Sequence, residues 1–240
     1  MSAEHRLTAG DAGLYGKHPG FGDFIAAGLP EGIVALLGDW MQQVLGDWRQ
    51  AAGEGWQAAF DAAPELGFWI GAALLTGEQP LRGVLAPSHD RAGRRFPLLV
   101  VQAGGAAPVH DPGQDFHAAA GRAMESLFEA QQFDPREAAA RLRRELPAPP
   151  DQPQPGWPTF WASNAALAPQ ALLAQLAAAD HAHAAAGRSY WWFAAGGGRP
   201  SGMLACQGWP GASEIGWLIA GGGGAAGGVG TAGDDQGGIA

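Results

Sequence analysis

Residues 86–99 read APSHDRAGRRFPLL, and the side chains they bring together carry more chemistry than any other stretch of the chain. Ser88, His89 and Asp90 are the three types of a nucleophile, its base and the group that orients the base. Such a set works only where the three side-chain tips meet. Three consecutive residues rarely allow this, because successive side chains of an extended strand point to opposite faces. No G-x-S-x-G elbow leads into a helix here either. A turn accounts for the same residues: Pro87 fixes φ, Ser88 and Asp90 bond nearby backbone, and Gly93 permits the bend. Arg91, Arg94 and Arg95 follow, and each can fork onto a carboxylate or a phosphate. They either pair with local carboxylates such as Asp90 and Asp23, or form a surface for a phosphoryl group or an acidic partner. The first reading is preferred.

The second stretch is YGKHPGFGDF, residues 15–24. It is glycine-rich and holds a lysine, but a Walker loop needs G-x-x-x-x-G-K-[ST] with a helix opening directly after it. Here Lys17 comes first and His18 follows. Gly20-x-Gly22 lacks a third glycine and an opening helix. His181-x-His183 falls on a predicted helix, where i and i+2 diverge by about 200°. With no H-E-x-x-H and no cysteine cluster, no metal and no cofactor are expected.

The formal charge of −9 argues against a nucleic-acid binder, which needs a basic face to displace counterions. The single cysteine, Cys206, forms no internal disulfide, which fits a reducing compartment. MSAEHRLTAG has no apolar core of a signal peptide, and no stretch reaches the ~20 apolar residues of a membrane span. The expectation is a soluble, cytoplasmic protein.

The elements that position these residues are legible in part. Residues 1–10 read as a loose arm. GLYGK (13–17) reads as a strand and HPGFGD (18–23) as a turn. From Glu31 to Ala52, Ile33, Leu36, Leu37, Trp40, Val44 and Trp48 recur at helical steps, and this tryptophan stripe reads as core. A short helical turn over 56–60 ends at Pro64. Strands are predicted over 68–75, 81–86 and 96–103. The last is a continuous apolar run suited to a strand covered on both faces. Short connectors make these neighbours antiparallel. Helices are predicted over 114–132 and from Asp134 to Leu146, the second with Asp134 as cap, Pro135 first and Glu137 reaching back. A proline-rich connector covers 147–158 and an alanine-rich helix 171–186. Strands over 189–195 and 202–208 flank a glycine turn. Trp191 and Trp192 face opposite sides of theirs. Residues 221–240 are a Gly-rich tail expected to be disordered. The expected fold is a single α/β (α+β) domain over 11–220, a mixed, mostly antiparallel sheet of about five strands covered by helices.

Two motifs carry a family resemblance. Gly13-Leu14-Tyr15-Gly16-Lys17-His18-Pro19-Gly20-Phe21-Gly22-Asp23-Phe24 resembles a motif of the form G-aromatic-Y/F-G-K-aliphatic-P-x-x-G-D-F, and Gly28-Leu29-Pro30 follows it as in the family. Pro87-Ser88-His89-Asp90-Arg91-Ala92-Gly93-Arg94-Arg95-Phe96-Pro97-Leu98 resembles P-S-V-D-R-V-G-R-x-F-P-L. Asp39-Trp40-Met41-Gln42 loosely matches a W-D-x-W-like helix, and Ser189 to Trp192 an S-x-W-W segment. The family is TagF, associated with bacterial type VI secretion. Leu14, His18, His89 and Ala92 depart from the pattern.

The resemblance implies regulation and no catalysis: post-translational repression of the secretion machine by binding its forkhead-associated (FHA) scaffold protein. It also implies a pathway link to a PP2C-type phosphatase and a threonine kinase. The chain lacks the length and dispersed aspartates of that phosphatase. A rival reading is an anion- or phosphate-binding domain, or an enzyme, that uses the same charged cluster. Both motifs abut predicted strands, so Lys17, Asp23, Asp90, Arg91 and Arg94 are expected to converge.

Overall fold

Leu98–Ala103 is buried at every residue, and it can be so because strands flank it on both sides and helices cover both of its faces. The computed structural model describes residues 7–75, 79–111, 113–130, 132–150, 170–171, 181 and 184–221. Its strands are β1 (Ala12–Gly16), β2 (Ile25–Ala27), β3 (Leu66–Ile70), β4 (Leu81–Ala86), β5 (Leu98–Ala103), β6 (Arg188–Phe193) and β7 (Gly202–Gln207). They form one sheet in the order β2-β1-β5-β4-β3-β6-β7, and every pairing is antiparallel. The α+β class and single domain stand. The sheet has seven strands where about five were expected, and among the described residues it is wholly antiparallel where a mixed sheet was expected.

The helices are α1 (Glu31–Ala52), α2 (Trp56–Asp61), α3 (Asp115–Glu129), α4 (Pro135–Glu145) and α5 (Ala212–Ile219). Side chains alternate across a strand, so each strand feeds two cores. On one face Ile33, Leu37, Met41, Val44 and Trp48 of α1 pack with Ile215 and Leu218 of α5 over Phe68, Leu99, Val101 and Trp191. On the other, Phe116, Met124 and Leu127 of α3 and Leu142 of α4 cover Leu14, Val84, Leu98 and Val100. Glu31 in the first turn of α1 and Arg49 in its last complement the helix dipole. In α4, Asp134 caps by accepting the Glu137 N–H at 2.8 Å, with Pro135 at the first helical position.

The predicted strand over 68–75 ends at Ile70. Gly71 N–H bonds the Arg188 carbonyl, and residues Ala72–Leu74 then close a 3₁₀ turn. Of the N-terminal arm, residues 7–10 are described and are tied down: Gly10 N–H donates to the Ala103 carbonyl at 2.9 Å. Residues 151–158 of the connector, most of the predicted 171–186 helix and residues 222–240 of the tail lie outside the described residues. Among the described residues no helix is long and apolar enough to cross a membrane.

Candidate functional site

The two motifs are the two loops at one end of the sheet. Residues 17–24 connect β1 to β2, and residues 87–97 connect β4 to β5. The register places Gly16 of β1 and Ala86 of β4 on either side of Leu98, with Ile25 beyond Gly16. The second loop prolongs its hairpin. Phe96 N–H bonds the Ser88 carbonyl at 3.0 Å, His89 and Arg95 form an isolated bridge, and Asp90 N–H bonds the Arg94 carbonyl at 3.1 Å. Gly16 sits where the loops touch. Its φ is +131°, and a Cβ there would lie 2.0 Å from the Pro97 carbonyl oxygen. Only glycine combines that φ with that approach.

Asp90 is the centre of the junction and is fully buried. Its Oδ2 accepts from Lys17 Nζ at 2.9 Å and from Arg94 Nε at 2.6 Å. Its Oδ1 accepts the backbone N–H groups of Ala92 at 3.0 Å and Arg94 at 2.9 Å. Burial alone would push this carboxyl up. The Arg94 backbone N–H and the Lys17 and Arg94 side chains overcome that and hold it well below the ordinary carboxylate range. Three further bonds join the loops: Ser88 Oγ donates to the Lys17 carbonyl at 2.7 Å, Arg94 Nη2 to the Gly22 carbonyl at 2.7 Å, and Arg91 N–H to the Phe21 carbonyl at 2.7 Å. Phe24, 40% exposed, stacks on Tyr15 and meets Phe96 edge-on, with Lys17 Nζ 4.9 Å above its ring. Tyr15 in turn lies across α1, where its hydroxyl would be only 2.6 Å from a Cβ on Gly38.

Of the five charged residues expected to converge, Lys17, Asp90 and Arg94 do so through their side chains. Asp23 and Arg91 do not. Asp23 is exposed, and its Oδ1 accepts the Phe24 N–H of its own turn at 2.8 Å. Arg91 joins the contact through its main chain, and its side chain is exposed. Nor does Arg95 pair with Asp90 or Asp23. It forks onto Asp61 at the end of α2, at 2.7 and 2.6 Å. Ser88, His89 and Asp90 are no triad: the Ser88 hydroxyl is given to a carbonyl, while exposed His89 donates from Nδ1 to the Asp90 carbonyl at 2.9 Å. Pro19 and Pro87 are half-buried at the starts of the two turns, and Pro97 ends the second.

His18 extends the junction to the other face. It is buried, stacked on Phe133 at 3.8 Å between ring centres, and its Nδ1 accepts the Gly20 N–H at 3.1 Å. The proton therefore sits on Nε2, which donates to the Leu127 carbonyl at 2.9 Å. Burial pushes its pKa below 6.5, against the pull of the Leu127 bond and aided by His89. A depressed histidine contributes stability above its unfolded value and loses it as pH falls through the folded one. Acidification from pH 7.5 to about 5 is therefore expected to lower the melting temperature of wild type more than that of His18→Leu. Half-buried His117, pushed down to about 4, supplies a share that the variant retains. Equal slopes in a calorimetric pH series would refute the assignment.

Sequence reasoning passed over Arg82, which is 2% exposed in the middle of the sheet. Its guanidinium stacks 3.9 Å from the Phe116 ring centre and bonds Gln102 Oε1 twice, at 3.0 and 2.7 Å. Burial lowers its pKa to about 10, so it stays cationic. Its place in the apolar-flanked strand LRGVLA was the available signal, since buried arginine is rare without partners. Among the described residues no group of histidine, cysteine and acidic side chains has the arrangement of a metal site.

Fold and site together define an α+β domain in which two loops, 73 residues apart in sequence at the Lys17–Asp90 contact, are locked into one corner. Residues 13–147, more than half of the chain and including both loops, match the TagF N-terminal domain, Type VI secretion system-associated, and the chain belongs to that family. The crystal structure of PA0076 from Pseudomonas aeruginosa PAO1 is similar over 90% of this chain and 96% of that one, with a TM-score of 0.72 and 28% sequence identity. No curated protein matches the chain.

Proposed function

We propose that the chain is a non-enzymatic repressor of type VI secretion that binds an FHA-domain scaffold protein through the corner formed by its two motif loops. Membership of a type VI secretion-associated family supports the setting. The observation that carries the surface is the Asp90 clamp. It uses a buried charge to fix the backbone of both loops while leaving Phe24 and the Arg91 side chain outside. A partly exposed aromatic ring and an exposed arginine, carried by two loops on a rigid base, are the residue types of a binding hot spot. The implied link to a PP2C-type phosphatase and a threonine kinase belongs to the same reading.

The rival reading, an anion site or enzyme built on these charges, is disfavoured by where the cations point. Lys17 Nζ and Arg94 Nε already share Asp90 Oδ2. An incoming phosphate would have to displace a carboxylate that is part of the fold. Pull-down of the FHA scaffold tests the proposal. Wild type is expected to retain it, and Arg91→Glu to lose it while melting normally, because that side chain is exposed and its main-chain bond to Phe21 is kept. Failure of folded wild type to retain the scaffold, or equal retention by the variant, would defeat the reading.

A further inference from the structure

We propose a second binding surface, a basic groove between the free edge of β2 and helix α4, whose occupant is an extended, carboxylate-rich segment of a partner protein. Among the described residues β2 is the terminal strand of the sheet and pairs only with β1. Beside it lies an open groove of about 620 Å³. Ala27, Ala139 and Ala140 keep it wide, and Arg136, Arg143 and Arg144 line its α4 side. Among the described residues none of the lining side chains is acidic.

The charge pattern selects the occupant. The whole chain carries −9, so a groove walled by three arginines is a local reversal of sign. Arg143 Nη2 is engaged by Asp11 at 2.7 Å. Arg136 and Arg144 form no ion pair among the described residues. Of the two carboxylates on α4, Glu145 is turned to Arg141 at 3.9 Å and Glu137 is not part of the groove lining. Guanidinium groups present a planar fork that matches carboxylates two bonds at a time.

Geometry selects an extended chain over a compact anion. Residues 136 and 143 are two turns apart, about 10.5 Å along the axis, which is the span of about three residues of β-strand. A strand laid along β2 finds main-chain hydrogen-bond partners on the unpaired edge, while its alternate side chains reach the arginines. Nucleic acid, with a charge on every phosphate, would meet a chain whose net charge is −9.

The test uses the full chain and a fluorescent synthetic peptide of alternating threonine and glutamate, with glutamine replacing glutamate in the control. Saturable binding at low salt is expected for the acidic peptide alone, with amide shifts at residues 25–28 and along α4. Arg136→Glu with Arg144→Glu is expected to weaken it by about tenfold or more. Both side chains are exposed, so the variant's melting temperature is expected to match wild type; should it fall, Arg136→Gln with Arg144→Gln is measured in its place. No saturable binding, equal affinity for the control, or indifference to the variant would overturn the proposal. Equal displacement by a single-stranded oligonucleotide would do the same, since it would reduce the groove to a general polyanion sink.

Discussion

Replacing Asp90 with asparagine is expected to lower the melting temperature by on the order of 10 °C. Asparagine keeps the size of the side chain and one acceptor, but removes the charge that two cations share. Lys17, buried against the loop, is then left without its anion, and an unpaired buried charge is among the costliest changes a fold can suffer. Lys17→Met is expected to be milder, about 1.5–3 kcal/mol, because Asp90 keeps Arg94 and two backbone donors. The two variants therefore rank the members of the clamp, and thermal unfolding of both reads that ranking directly. The same carboxylate sets an acid limit. Its pKa lies below the ordinary 3.8, so its contribution is full above that value and is lost as pH falls from there toward the folded one. Equal melting of wild type and Asp90→Asn would show that the loops hold together without the clamp.

Gly16→Ala is expected to be as damaging without touching any charge. The φ of +131° costs an alanine about 1–3 kcal/mol. A Cβ 2.0 Å from the Pro97 carbonyl oxygen further forces β1 away from β5 at the point where the two loops meet. The contacts that slip are those of the junction: the Lys17 N–H bond to Pro97 and the Ser88 hydroxyl bond to Lys17. The expected result is a loss of at least about 3 kcal/mol in denaturant unfolding. A variant that melts like wild type would mean that β1 yields freely there.

Where the sequence carried a long period, it was sufficient. Glu31–Ala52 repeats its apolar residues at helical steps between Pro30 and Gly53, and the helix occupies that range. LRGVLA is a strand along its whole length, and Trp191 and Trp192 do face different layers. β2 escaped because three residues hold less than two periods of any pattern. The strand ending at Ile70 was overextended because Gly-Ala-Ala-Leu-Leu is apolar in either conformation. The meeting of the two loops was legible, since each motif adjoined a strand. Which carboxylate would hold the cations was not: Asp23 and Asp90 are chemically identical, and only the tertiary fold buries one and leaves the other in water.

The Lys17–Asp90 bond also dictates an order of events as the chain folds. The β4–β5 hairpin closes from nearby residues, whereas β1 must return across 73 positions to reach the aspartate. Closing a loop of that length carries an entropic cost before any contact rewards it. Docking of β1 is therefore expected to come after that hairpin. A nascent or partly unfolded chain would hold no such corner, so the recognition proposed above would also report that β1 has docked on the β4–β5 hairpin.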